Sequence, residues 1–418
     1  MPPLNILISG SGIAGSVFAS WLLRAYSNAQ ITIVERATAL RMTGASVDIR
    51  NSAVDIIEKM GVEQEIRNRG TNASGIQYVA SDGSPIATLE ATGRTDVQSI
   101  TSEYEIFRGE LAKIFMQPIQ DRVQLIFDDF VNEFKDTEDG VTVTFSKSGE
   151  TKRYDLLVAA DGMGSKIRSQ MLGRPSREQV FDEGVHVAYF TMKSNLLGQS
   201  KLAKWYNAPG GRVVFLRPDP HPAGRVRANL MNVRWRSDTI EGNRLDAALE
   251  GGKDAYMDLM DDQFRDAGWV SPEVLQGMRE SDDFYCSLFA QTRVPNLFKG
   301  RVVLLGDAGY AVPGLGTSLA IMGGYILAGE LLKDPNDLTS ALQRYEDTML
   351  PFAKSQQSDD IAMQLLNPQT QWGIGLRNTA LRIVIGLRID KVTTRAVAWL
   401  GITDKKLQLL EYQWLSYR

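Results

Sequence analysis

The sequence predicts an α/β fold: strand–turn–helix units with an antiparallel β-sheet domain inserted among them and helices after them. Three observations predict this. Short apolar runs end in glycine-punctuated turns and give way to helical periodicity at residues 4–25, 154–168 and 302–331, as covered parallel strands alternating with helices do. Between Phe181 and Asp238 the pattern changes to alternating, aromatic-rich segments (VHVAYFTMK, LAKWYN, GRVVFLRPD, RVRANLMNVRWR) divided by Gly, Pro and Asn turns, which marks antiparallel strands. From Leu338 onward helical periodicity prevails.

A chain of 418 residues has room for two or three domains of roughly 150 residues each. The spacing of the patterns predicts a discontinuous first domain (1–175 and 285–350), a β-sheet domain for the substrate (176–284) and a C-terminal helical segment (351–418). A net charge of −4 without a long basic run gives no support for nucleic acid as partner, because phosphate binding needs clustered Lys and Arg. A small molecule is the expected partner of a monomer or homodimer. The single cysteine, Cys286, cannot form an internal disulfide, and the start MPPLNILISGSG has neither a basic leader nor a cleavage site. Those features predict a cytoplasmic protein with no membrane association. His186 and His221 stand far from any matching ligand, so no metal site is expected.

The first unit reads as a strand (Leu4–Ser9), a tight turn (Gly10-Ser-Gly12-Ile13-Ala14-Gly15) and a helix (Ser16–Ala25). The second strand, Ile31–Val34, ends at Glu35, twenty residues beyond Gly15. Glycine lets a pyrophosphate approach the backbone, and a carboxylate at that distance accepts hydrogen bonds from ribose hydroxyls. An adenine dinucleotide, NAD or FAD, is therefore expected. Arg36 either covers the adenine or is merely solvated. Gly44–Arg50 is an extended candidate containing Asp48, and Arg108 sits where a strand turns into a helix, to clamp a phosphate or flavin edge or to cap structure. Residues 123–146 predict two or three antiparallel strands. The buried strand Tyr154–Ala159 delivers Asp161 at its end, and Val302–Leu305 delivers Asp307 into a glycine-rich loop before a helix at Ser318–Leu331. There backbone N–H groups and a positive dipole end converge on something electron-rich.

In the sheet segment Trp205, Tyr206, Phe215, Met231 and Arg234 are candidates for the wall of a planar-ligand pocket, although core packing is the favoured reading for several of them. Leu338–Leu366 predicts a long helix interrupted at Pro351. Residues 376–400 predict one or two more, with Leu376, Ala380, Ile383 and Leu387 on one face and Arg377, Arg382, Arg388, Lys391 and Arg395 among them. Packing of that apolar stripe on the two domains is favoured over docking on a membrane or partner.

Jointly, these motifs resemble those of the single-component flavoprotein monooxygenases related to para-hydroxybenzoate hydroxylase, including the tetracycline-inactivating enzymes. Gly10, Gly12, Gly15 and Glu35 match the ADP-binding fingerprint, Asp161-Gly162 with Ser165 and Arg168 the middle DG motif, and Gly306-Asp307-Ala308 with Pro313 and Gly316 the GD motif. The resemblance implies a Rossmann-like FAD-binding domain, FAD as cofactor, NADPH or NADH as transient reductant, and O2 as co-substrate. It implies oxygenation of a planar or polycyclic natural-product-type molecule through a flavin C4a-hydroperoxide. It places Asp307 at the ribityl hydroxyls, the amides of Gly314, Gly316 and Thr317 at the electron-rich flavin edge, and Arg108 and Asp48 beside the flavin. No dedicated catalytic acid or base is evident. Tyr310 stands where the family usually has histidine, and the 313–316 loop is shorter than its common pattern. A flavin reductase without oxygen activation, or a non-catalytic FAD protein, are the alternatives.

Overall fold

The computed structural model describes residues 4–90, 104–386 and 406–414, apart from 43, 72, 222, 223, 335, 359 and 360. Apolar strands pair into a six-stranded sheet in the order Phe298–Lys299, Val302–Leu304, Leu156–Ala159, Asn5–Ser9, Gln30–Glu35, Gln124–Phe127. All neighbours are parallel except the outermost pair, Phe298–Lys299 with Val302–Leu304. The central strands are buried along their length, with Ile6, Leu7, Ile8, Leu157 and Val303 at 0% exposure, as a sheet covered on both faces requires. Helices Ile13–Ala25 and Gly316–Lys333 pack on one another against this core.

The alternation at 123–146 divides between two sheets. Gln124–Phe127 joins the large sheet in parallel beside Gln30–Glu35, whereas Val131–Thr137, Gly140–Phe145 and Thr151–Tyr154 form a separate antiparallel sheet.

A seven-stranded sheet forms the second unit, in the order Tyr285–Thr292, Val180–Met192, Val226–Val233, Arg212–Pro218, Leu202–Ala208, Gly75–Val79, Pro85–Glu90. This corrects the expected boundaries. The last two strands come from the stretch assigned to the first domain, and Gly75–Val79 pairs in parallel with Leu202–Ala208; Tyr285–Thr292 lies beyond the expected end at residue 284. Alternation reveals which face a residue takes but not which distant strand it will join. One face of the sheet is packed by helices Thr239–Glu250, Lys253–Phe264 and Ser271–Arg279 around Phe190, Tyr206, Leu216 and Leu230. The other carries Tyr189, Phe215 and Met231, against which Ala45 of the first unit and Leu381 and Ile385 of helix Gln371–Gly386 pack.

The C-terminal helices depart from expectation in two places. Helix Leu338–Gln356 runs through Pro351 without a break. Pro351 is exposed while Met349 and Ala353 are buried, so packing of the inner face carries the helix past the missing hydrogen bond. In helix Gln371–Gly386 the predicted stripe points outward, with Leu376 58% and Ile383 53% exposed and Ala380 exposed as well. The packing residues are instead Ile374, Leu381 and Ile385, with the Arg377 guanidinium 5.0 Å above the Tyr78 ring. Leu387, Arg388, Lys391 and Arg395 lie outside the described residues. The final segment returns to the first unit: the Trp414 ring lies 4.5 Å from Trp21, and the Tyr412 hydroxyl donates to Glu330 at 2.8 Å. Among the described residues no helix is long and apolar enough to cross a membrane.

Tyr310, in place of the usual histidine, is buried and its hydroxyl lies 2.9 Å from that of Tyr345, which donates to the Leu304 carbonyl at 3.0 Å. Room for it exists because residue 323 is glycine: a Cβ there would lie 1.9 Å from the Tyr310 hydroxyl oxygen. Gly323→Ala is accordingly expected to cost about 2 kcal/mol in urea unfolding through overpacking, and less than about 1 kcal/mol in a Tyr310→Phe background, because the two sites are in contact. An equal cost in both backgrounds would show that the hydroxyl is not what the glycine accommodates.

Candidate active site

The carboxyl ends of the central strands bring three turns together. Gly10 (φ +108°) passes so close to the end of Leu156–Ala159 that a Cβ would stand 2.3 Å from the Ala160 carbonyl oxygen, and a Cβ on Gly15 would stand 2.2 Å from that of Gly10. Gly12 differs: nothing lies within 4 Å of a Cβ built there, so the turn is open on that side. Helix Ile13–Ala25 starts behind it with no side-chain cap and no acidic residue in its first turn, leaving its first N–H groups and its dipole for an anion. Ile13 and Ala14 form the start of that helix.

Glu35 ends the neighbouring strand half-buried. It has a structural task the sequence did not disclose: Oε2 accepts from both the amide and the hydroxyl of Ser11 at 3.0 Å, and Oε1 accepts from the Ala37 amide at 3.0 Å. The carboxylate therefore pins the glycine turn, and its remaining lone pairs are available to ribose hydroxyls. Arg36 is exposed and makes no hydrogen bond or ion pair among the described residues.

Asp161 follows the Leu156–Ala159 strand, and its Oδ1 is buried without a hydrogen-bond partner. Burial raises its carboxyl above the ordinary range, against the downward pull of the Ser165 hydroxyl and the Arg168 charge. Arg168 is fully buried and donates to the carbonyls of Met163 (2.6 Å), Ser176 (3.1 Å) and Ala308 (2.9 Å), which ties the Asp161 and Asp307 loops together. Burial presses its guanidinium down to about 10, the Asp161 charge opposing.

Asp307 opens the helical turn Asp307–Tyr310 after Gly306, whose φ of +63° brings it onto Ala14; a Cβ on Gly306 would lie 2.8 Å from the Ala14 methyl. The Asp307 carboxylate faces the start of the long helix, 3.0 Å from where a Cβ of Gly316 would be. That helix, Gly316–Lys333, begins without a side-chain cap and without an acid in its first turn, and Gly314 just before it has open space beside it. Gly314, Gly316 and Thr317 thus present backbone beside Asp307.

The Ser46–Asp48 strand pairs with Glu105–Phe107 and brings in the remaining candidates. Arg50 bonds Asp48 at 2.7 Å and donates its backbone N–H to the Ser318 hydroxyl at 2.9 Å, while Asp48 Oδ1 is buried without a partner. The backbone of Arg108 is fixed by the Ala45 carbonyl at 3.0 Å, and its guanidinium makes no hydrogen bond or ion pair among the described residues.

Of the residues predicted for the pocket wall, Trp205, Phe215 and Met231 lie on the sheet face turned toward this region. Tyr206 lies on the other face, its hydroxyl donating to the Ala267 carbonyl at 2.7 Å. Arg234 is held by Asp182 and by the carbonyls of Trp235 (3.4 Å) and Asp238 (3.3 Å). The expected wall therefore loses these two: the alternation between Trp205 and Tyr206 allows only one of them on each face, and Arg234 already has an anionic partner. Tyr78, Tyr189 and Tyr285 share that face and were not anticipated. Arg217 pairs with Glu105, donates to the Ser46 hydroxyl at 2.5 Å, and is lowered to about 10 by burial against the pull of Asp48.

An open glycine cradle, two uncapped helix starts and orphaned buried oxygens on Asp161 and Asp48 form a donor and acceptor set that suits a long dinucleotide such as FAD. The comparisons agree. Residues 4–261 match the family model described as FAD binding domain. The chain is 32% identical to monooxygenase CTB7 of Cercospora beticola, covering 98% of this chain and 97% of that one. It is 30% identical to FAD-dependent monooxygenase asL4 of Sarocladium schorii, covering 93% and 94%. Among solved structures, the tetracycline destructase Tet(51) superimposes with a TM-score of 0.75 at 27% identity over 98% of this chain and all of that one. With a cradle of this chemistry and relatives matched over nearly their whole length, the chain belongs to the FAD-dependent monooxygenases and is an oxidoreductase.

Proposed function

We propose that this monooxygenase takes its electrons from NADPH or NADH and transfers one atom of O2 to a planar or polycyclic small molecule of the natural-product type. The observation that carries this reading is the open Gly12 cradle with the Asp161 and Asp307 loops tied together beside it by Arg168. Bound FAD would supply hydride acceptance and oxygen activation. The chain's own part is to bind, orient and exclude water. In this reading the backbone at Gly10, Gly12, Ile13, Ala14 and Gly15 receives the pyrophosphate, Glu35 accepts from the ribose and Arg36 flanks the adenine. Asp161 and Asp307 accept from hydroxyls along the chain of the cofactor. The amides of Gly314, Gly316 and Thr317, at the positive end of a long helix, stabilise negative charge at the electron-rich ring edge, while Asp48 and Arg108 border it. The seven-stranded sheet would serve to exclude water from the site. The polycyclic substrate named for Tet(51) supports the substrate class.

Purified protein is expected to be yellow with FAD and to consume NAD(P)H faster when a turned-over polycyclic compound is added, with one atom of labelled oxygen retained in the product. Reduction of a compound without label incorporation would instead establish a reductase.

Gly12→Val is expected to leave the fold intact, since its backbone is extended (φ −69°, ψ −174°) and its Cβ meets nothing. It should nevertheless lower FAD affinity on the order of a hundredfold, because the side chain occupies the pyrophosphate approach. Gly15→Ala should lower the melting temperature of the FAD-free protein itself. Equal FAD affinity of Gly12→Val and the parent in flavin titration would remove the cradle from the reading.

Arg108→Met should likewise keep the FAD-free stability within about 0.5 kcal/mol, as no partner is lost, and weaken FAD binding about tenfold through the missing cation. Unchanged flavin affinity would place Arg108 outside the cofactor site.

A further inference from the structure

Helix Gln371–Gly386 lies on the seven-stranded sheet, yet by Lys406 the chain is back on the first unit, where residues 406–414 run as an irregular strap across three helices. Those helices are Ile13–Ala25, Ser52–Met60 and Gly316–Lys333. All three begin at the site. The first starts behind the Gly12 cradle and the third beside Asp307. The second follows Arg50, which bonds Asp48 at 2.7 Å and donates its amide to Ser318, in the first turn of the third helix, at 2.9 Å.

Each helix is fastened to the strap. The fully buried Ser52 hydroxyl donates to the Leu407 carbonyl at 2.6 Å, and Lys406 and Glu411 pair with Asp55 (3.1 Å) and Lys59 (2.9 Å). The Tyr325 hydroxyl donates to the Leu410 carbonyl at 2.8 Å. Trp414 bridges the first and third helices, its ring 4.5 Å from Trp21 and 5.3 Å from Tyr325. Tyr412 fills a socket made by Gly329, where a Cβ would overlap its ring. Its hydroxyl donates at 2.8 Å to Glu330, a carboxylate only 1% exposed that Lys333 and Arg344 also hold. The exposed ion pairs add little. The buried rings and hydroxyls decide where the strap sits, which a chain end left to fray does not achieve.

We propose that residues 406–414 are a positioning clamp for the cofactor site: by fixing the three helices against one another, they hold the helix starts in the arrangement that receives FAD. Close-packed helices transmit a displacement instead of absorbing it. Tyr412 and Trp414 act through the helices and not by touching the cofactor, since Gly329 lies about 20 Å along its helix from Gly316. This rests on the cradle reading above for what the helix starts receive.

The test is FAD affinity, by flavin-fluorescence titration of the FAD-free protein, beside the melting temperature of that same protein. Tyr412→Ala and Trp414→Ala together are expected to weaken FAD binding about tenfold, within the ordinary range for coupled sites. Tyr412→Phe, which keeps the ring in its socket, should restore affinity close to the parent. Gly329→Ala should reproduce the loss by closing the socket, and add nothing once both rings are gone. Coupling is reciprocal, so FAD should slow hydrogen exchange of the 406–414 amides in the unsubstituted protein, a measurement that needs no variant to fold. A lowered melting temperature with unchanged FAD affinity in the double variant, or strap exchange indifferent to FAD, would reduce the strap to packing and overturn the proposal. Loss of affinity in the double variant with none in Gly12→Val would instead remove the cradle and leave the clamp standing.

Discussion

Close approach at four glycines, three of them onto backbone and one onto the Ala14 methyl, is the constraint on which the rest depends. Gly10 and Gly15 let the first turn fold against Ala160 and against itself, Gly306 lets the Asp307 loop sit on Ala14, and Gly324 lets the helix Gly316–Lys333 meet Phe18 of the first helix, where a Cβ would lie 2.9 Å from the Phe18 amide nitrogen. Each contact has room for hydrogen and not for a methyl group. Together they bring the ends of three strands into one place, so that two helix N-termini and the acids Asp161 and Asp307 face a common space. Gly12, with nothing near it, belongs to a different class: the first four glycines serve the fold and this one leaves room for a ligand.

Buried polar groups then hold the loops in position. Arg168, fully buried, spends its donors on carbonyls of Met163, Ser176 and Ala308, and Glu35 holds Ser11 before any ribose is present. Buried charges of this kind add little net stability, yet removing one partner leaves the other desolvated, and that asymmetry keeps the loops in a single arrangement. The same holds for Arg217 and Glu105, which lock the sheet unit to the strand pair Ser46–Asp48 and Glu105–Phe107. Preorganisation of the site is therefore a property of its surroundings, as electrostatic catalysis requires.

The two faces of the seven-stranded sheet divide labour. The face under helices Thr239–Glu250, Lys253–Phe264 and Ser271–Arg279 is ordinary core. The opposite face is covered at its Tyr78 edge by helix Gln371–Gly386 and elsewhere by the Ala45 region of the first unit. Tyr206 and Trp205 are adjacent in the chain and sit on opposite faces, so that one builds core and the other builds the wall.

Much of the first unit was legible in the sequence because its signals are local. A strand, a glycine turn and a helix start lie within about a dozen residues at Asn5–Ser9 and the turn that follows, and the acid at Glu35 falls at a fixed chain distance. The Asp161 and Asp307 loops repeat the same grammar. What could not be read were facts of long-range pairing. The strands Gly75–Val79 and Pro85–Glu90 look like part of the first domain until Leu202–Ala208 is seen beside them, and Gln124–Phe127 shows alternation yet joins a parallel sheet. Alternation and periodicity specify an element and its faces, since those follow from the backbone's own repeat of about 2 residues in a strand and about 3.6 in a helix. Partners, register and the outward or inward sense of a helix such as Gln371–Gly386 follow from which surfaces meet, and that free energy belongs to residues hundreds of positions apart. The glycine turn and Glu35 could be read from the chain because they lie within one strand–turn–helix unit and the strand beside it; that Trp205 and Tyr206 part to opposite faces of a sheet whose strands come from Gly75–Val79 to Tyr285–Thr292 follows only from which surfaces meet.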